Sequence, residues 1–175
     1  YREPFSNEKS RTLVFFPHGA LHLVQTENGV VEKIKQTKDS DLLDEITKTW
    51  LNDSDKKHPL FVAEGTSDKK MFSIEKNAYL HTVYHQALPK SIKNGKLVIF
   101  GWAMNDDFDG HLIEKIKSVN KQGKPNQLTD IAIGIHHTVC NKVEERKRIT
   151  SQLESLELQE GALKFFEIDE NFFKQ

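Results

Sequence analysis

The chain has 175 residues, a formal net charge of −1 and a single cysteine, Cys140. A near-neutral balance gives no electrostatic footprint for nucleic acid or an anionic membrane surface, and one cysteine excludes an intrachain disulfide and a four-cysteine zinc site. No apolar run reaches membrane-spanning length and no signal peptide is visible, so a soluble protein of a reducing, cytoplasmic compartment is expected.

Residues 12–16 are rich in β-formers and stop at Pro17, which predicts a strand followed at once by His18-Gly19. Residues 20–25 and 30–34 flank the turn signal Thr26-Glu27-Asn28-Gly29, so an N-terminal β-hairpin is expected. The spacing of Leu42, Leu43, Ile46, Trp50 and Leu51 predicts a helix over 39–51, capped by Ser40 or Asp41. Lys56-Lys57-His58-Pro59 breaks that pattern. A short apolar strand follows over 60–63, then a loop over 64–67, a helix over 68–77 and another over 78–88 that ends at Pro89.

Residues 96–100, "KLVIF", and 131–135, "IAIGI", have the continuous apolar character of buried parallel strands. Between them lie a loop over 101–107 and a helix over 108–119, with Phe108, Leu112, Ile116 and Val119 on one stripe. A charged helix over 139–158 reads as a solvated face, 163–168 as a last strand, and Phe172-Phe173 as packing back on the body. The alternation predicts an α/β fold: a Rossmann-like three-layer sandwich with a mainly parallel sheet formed by 60–63, 97–100, 131–135 and 163–167, plus the N-terminal hairpin, in a single domain spanning 1–175. Such sheets bind ligands outside the C-terminal ends of their strands, which gathers His18, Glu64, Gly101 and His136 around one cleft.

Each candidate group has a plain alternative. His18-Gly19 offers an imidazole base beside a glycine that lets a ligand approach the backbone, or a turn histidine with a packing role. The glycine opening 101–107 resembles a phosphate-approach turn without a Walker or GxGxxG pattern; the alternative is an ordinary βα loop with Asp106 or Asp107 as a cap. Asp106, Asp107, Asp109 and His111 have cation-binding chemistry without EF-hand spacing. His81 and His85 share a helix face, but Thr82 stands where an HExxH motif carries glutamate, so surface histidines are expected there. His136-His137 ends a strand on the ligand edge; the alternative is a pair that caps the following helix or faces solvent. Cys140 has no activating neighbour, and no GxSxG serine is present.

Three phrases, "FFPHGALHL", "PLFVAEGTSDKKMFSIEKNAYL" and "LVIFGWAMNDDFDGHLIEKI", together resemble the C-terminal part of a bacterial domain-of-unknown-function family associated with the sirtuin-like superfamily, over roughly residues 10–120. The resemblance implies that His18 is the catalytic base, and that Gly19, Glu64, Gly101, Ala103, Asp107 and His136 meet a bound NAD, with no metal. Ala103 stands where the superfamily has a phosphate-binding serine, which removes a hydrogen bond. The superfamily's glycine-rich pyrophosphate loop and its Asn-Tyr-Asp motif are not found in the sequence, so the chain resembles the C-terminal part of a larger sirtuin-like domain.

Three functions follow. The intact protein cleaves the nicotinamide–ribose bond of NAD with His18 as base; or the same fold is a non-catalytic nucleotide-sensing or interaction module, which Ala103 favours; or the 106–111 cluster serves a metal-dependent hydrolase. The partner expected in the first two cases is a small nucleotide.

Overall fold

The computed structural model describes residues 14–52, 56–62, 64–92, 95–120 and 128–172. Thr12, Leu13, Ala63 and Phe173, which belong to segments anticipated above, lie outside the described residues. The chain divides into two compact units, Tyr1–Leu88 and Pro89–Gln175.

The first unit is built on an antiparallel three-stranded sheet in the order β2-β1-β3. β1 (Gly19–Thr26) and β2 (Val31–Lys33) form the expected hairpin, closed by hydrogen bonds from Thr26 N–H to the Val30 carbonyl and from Gly29 N–H to the Thr26 carbonyl. β3 (Lys57–Phe61) pairs antiparallel with β1, so the expectation that 60–63 joins the parallel sheet is corrected. The strand also starts earlier than its sequence pattern indicates, running through His58-Pro59. Proline lacks a ladder donor, and β3 tolerates one because it occupies the edge of its sheet.

Val14–Phe16 is not a strand. Pro17 and His18 form a turn closed by a hydrogen bond from Gly19 N–H to the Phe16 carbonyl at 3.0 Å, with proline at the position where its fixed φ is favourable. α1 (Leu42–Leu51) is capped by Asp41, whose Oδ1 accepts from Asp44 N–H at 2.9 Å, and buries Ile46. α2 (Ser67–Lys76) meets α3 (Ala78–Thr82) at Asn77. The buried Asn77 side chain accepts from the N–H groups of Tyr79 and Leu80 and donates to Gln25 Oε1 at 2.9 Å, which fixes the corner between the helices. The helix anticipated to stop at Pro89 instead continues through a π turn (Val83–Ala87) into α4 (Leu88–Ile92). A proline inside a regular α-helix clashes with the carbonyl four residues back; the wider π turn lies just upstream and bonds Leu88 N–H to the Val83 carbonyl, five residues back.

The second unit is built on a parallel three-stranded sheet in the order β4-β5-β6: β4 (Lys96–Ile99), β5 (Asp130–His136) and β6 (Leu163–Ile168). The register pairs Ile99 with Ile133, and His136 with Ile168. Ile131, Ile133 and Ile135 are buried on one face of β5. Gly134 turns the other way, beneath β6: a methyl group there would come within 2.4 Å of the Ile168 side chain. α5 (Asp106–Lys117) and α6 (Lys142–Leu153) connect the strands. The single four-stranded parallel sheet read from the sequence is therefore two three-stranded sheets, one parallel and one antiparallel.

α5 also differs from its expected stripe. It begins at Asp106 and kinks at Asp109, where φ is −131°. The phase shift leaves Phe108 about half exposed and turns His111 and Ile113 inward, while Ile116 is buried as the stripe anticipated. Phe172 stacks on Phe100 and Phe166, with ring centroids 5.3 and 5.8 Å away, as its sequence position suggests. Among the described residues no helix is long and apolar enough to cross a membrane.

Candidate functional site

The C-terminal ends of β4, β5 and β6 open onto a cavity of about 270 Å³. Its walls are mainly apolar: Ala103, Ile135, Val139, Ile149 and Ile168, with Trp102 as an aromatic side and His136 and Glu145 as polar groups. The backbone of Gly101 and Gly134 completes the lining. Three residues expected to bind a cofactor, Gly101, Ala103 and His136, thus share one pocket.

Each wall is positioned by the local chain. Gly101 adopts φ +66° two residues after β4, and among the described residues no atom other than those of its chain neighbours lies within 4 Å of where its Cβ would be. Its backbone is therefore open to a ligand. Trp102 Nε1–H donates to Asp109 Oδ2 at 2.9 Å, which fixes the indole and explains why α5 departs from helical geometry at that aspartate. His136 Nδ1 is engaged with Thr138 Oγ1 at 2.8 Å, and its ring lies 4.3 Å from that of His137.

Arg148 holds the 101–105 loop in place. It donates to the Met104 carbonyl at 2.8 Å and to the Ala103 carbonyl at 2.7 Å, grips both oxygens of Glu145 at 2.6 and 2.9 Å, and donates to Gln152 Oε1 at 3.1 Å. Gln152 Nε2 adds bonds to the Met104 carbonyl and to Asp106 Oδ2. The clamp secures a loop whose Met104 is fully buried with φ +50°, a left-handed conformation that a residue with a Cβ adopts at a cost. The guanidinium beside Glu145 holds that carboxyl below its ordinary range, and Glu145 in turn raises the Arg148 pKa. Both groups are charged near neutrality, in a bidentate pair.

The helix ends beside the pocket are unsuited to phosphate. Asn105 caps α5 by accepting from Asp107 N–H, and Asp106, Asp107 and Asp109 fill its first turn. Asn141 caps α6, with Glu144 and Glu145 in its first turn. The N-terminal dipoles that attract anions elsewhere already carry carboxylates here. Asp107 faces an open groove with Asp106, Arg148, Ser151 and Gln152, next to the cavity in sequence but not among its lining residues. The 106–111 cluster does not converge: Asp109 is bonded to Trp102, Asp106 accepts from Gln152, and His111 is buried.

His18, Gly19 and Glu64 belong to the first unit. The His18 carbonyl accepts from Val62 N–H at 2.8 Å, and its side chain is half-buried. Gly19, at φ +74°, pairs with Phe61; a Cβ there would sit 2.0 Å from the Leu60 carbonyl oxygen. The glycine of "FFPHGALHL" therefore has a packing reason, the close passage of β3. Glu64 faces an open groove along β3 that also includes Lys76 and Asn77. The strands next to His18 and Glu64 lie in the antiparallel sheet, so a shared parallel edge does not gather them with Gly101 and His136.

Sequence reasoning missed Arg148, Glu145 and Gln152. Their spacing, i, i+3 and i+7, places all three on one helix face, but a charged helix reads as a solvated one.

These features define an α/β protein with an antiparallel and a parallel unit, the latter carrying a mainly apolar pocket at the C-terminal edge of its sheet. Residues 1–169 match the family described as Domain of unknown function (DUF4917), and the chain belongs to that family. No curated protein and no solved structure matches the chain. The family match does not carry the sirtuin-like part of the resemblance.

Proposed function

We propose that the parallel unit is a small-molecule-binding module whose cavity takes a neutral planar heterocycle, of the kind a nucleoside or nicotinamide presents. The observation that carries this reading is the meeting of Gly101, Ala103 and His136 around one mainly apolar cavity at a parallel sheet's C-terminal edge, where open α/β sheets bind their ligands. Trp102 supplies a fixed aromatic wall for stacking, the Gly101 backbone a close approach, and the His136 imidazole a polar contact.

The ring, rather than a pyrophosphate, is the part recognised. Ala103 offers no hydroxyl, and both neighbouring helix N-termini are capped and acidic. Binding without turnover is accordingly favoured over NAD cleavage, and NAD itself would engage through its nicotinamide or adenine ring. Adenosine, at about 0.3 kcal/mol per heavy atom, would bind with a Kd on the order of 100 µM.

Calorimetric titration with adenosine, nicotinamide and NAD tests the proposal. The wild type should bind at least one of the three. Ala103→Trp should abolish binding without lowering the melting temperature, because the Ala103 side chain is exposed and only its backbone is held. Equal binding by wild type and Ala103→Trp would reject this pocket. Nicotinamide release from NAD by the wild type would reinstate the hydrolase.

A further inference from the structure

In the first unit, the corner at Asn77 brings the last turn of α2 over α3 and the π turn. Glu75 there faces two imidazoles: its Oε1 lies 2.7 Å from His85 Nε2 and its Oε2 3.4 Å from His81 Nε2. The two rings are 4.4 Å apart and inclined by 39°. One potential ligand atom from each of the three residues falls within 4.8 Å of the others. The buried Tyr84 packs edge-on against His85, 4.9 Å between centroids, which limits the ring's freedom.

We propose that Glu75, His81 and His85 form a binding site for a divalent transition-metal ion, with Zn²⁺ the best-matched cation. Two imidazole nitrogens and one carboxylate oxygen are borderline donors that suit zinc, and three protein ligands leave a fourth position for water. Ligands about 2.0–2.1 Å from a tetrahedral ion stand roughly 3.3 Å from one another; the three donor atoms lie within 4.8 Å of one another, a separation that rotation of these partly exposed side chains closes. The local fold supports the geometry: His81 lies in the last turn of α3, His85 sits inside the π turn, and π turns inserted in helices occur often at functional sites. Missing the HExxH glutamate at Thr82 does not remove the donor set, because Glu75 reaches the two histidines from the preceding helix.

The site lies in a different unit from the heterocycle pocket and is independent of it. Full-length protein treated with chelator and dialysed is titrated with zinc chloride by calorimetry, and in parallel with cobalt chloride by visible absorption. One equivalent of Zn²⁺ should bind, and Co²⁺ should give the intense d–d bands of a four- or five-coordinate site. His81→Ala and His85→Ala should each weaken binding by more than about 100-fold, beyond what loss of a group supporting a ligand costs. Circular dichroism should show both variants folded, since the side chains are partly exposed. Absence of zinc binding, or binding that survives both substitutions, would leave only a carboxylate–histidine ion pair and overturn the proposal.

Discussion

Gly19 and Gly101 share nearly the same backbone conformation, φ +74° and +66°, and differ in what surrounds them. A Cβ at Gly19 would stand 2.0 Å from the Leu60 carbonyl oxygen and 2.8 Å from its carbon, whereas at Gly101 no atom of the described residues beyond its chain neighbours lies within 4 Å. Both alanine substitutions carry the left-handed penalty of roughly 1–2 kcal/mol. Only Gly19→Ala adds an overlap with backbone, which cannot rotate away and costs a further 1–3 kcal/mol or so through displacement of β3 from β1. The expected losses are about 2–5 kcal/mol for Gly19→Ala and about 1–2 kcal/mol for Gly101→Ala. Urea denaturation can separate the units through the two tryptophans: Trp50 fluorescence in a Trp102→Phe background reports the first, and Trp102 fluorescence in a Trp50→Phe background the second. Gly101→Ala should in addition weaken ligand binding in the pocket. Equal destabilisation by the two substitutions, or a Gly19→Ala protein of wild-type stability, would refute the packing explanation of the His18-Gly19 pair.

Arg148→Ala should destabilise the second unit by roughly 2–4 kcal/mol. It removes two charge-assisted bonds to the Ala103 and Met104 carbonyls at a partly exposed position, for which the lower end of the usual range applies. Trp102 fluorescence during urea denaturation checks this, with no loss in Arg148→Ala counting against the clamp. The pH dependence has a defined sign. The Glu145 carboxyl is held below its ordinary value of 4.5 chiefly by its hydrogen bonds from Arg148, so its contribution is present above the unfolded pKa and lost as pH falls through the folded one. Melting temperatures measured from pH 7 to pH 3 should fall more steeply below about 4.5 for the wild type than for Glu145→Gln.

Local elements were legible in the sequence because their signals are local. The hairpin at 26–30, the Asp41 cap, β4, β5 and β6 follow from turn chemistry, capping and apolar runs. What failed depends on pairing partners. Residues 60–63 have the apolar look of a parallel strand, yet hydrophobicity carries no information about strand direction, and Gly19 supplies the close approach that seats β3 on β1. Pro59 and Pro89 read as stops; an edge strand and a π turn absorb them. In the pocket, Gly101 and His136 were accessible from strand ends, whereas Ala103 was reached only through the family resemblance. Arg148 was not, because its role is fulfilled 44 residues away at the Met104 carbonyl. Glu75 was missed for a related reason: it acts from α2, and only the Asn77 corner places it beside His81 and His85.

Whether a planar heterocycle occupies the pocket at the C-terminal edge of the parallel sheet can be read by heteronuclear NMR of the ¹⁵N-labelled chain titrated with adenosine and, separately, nicotinamide. Occupancy of the pocket should give saturable shifts at the amides of Gly101, Trp102, Ala103 and His136 and at the Trp102 indole N–H, with Phe61, Val62 and Glu64 in the first unit unmoved. Shifts confined to the first unit, or no shift with either ligand at millimolar concentration, would contradict it.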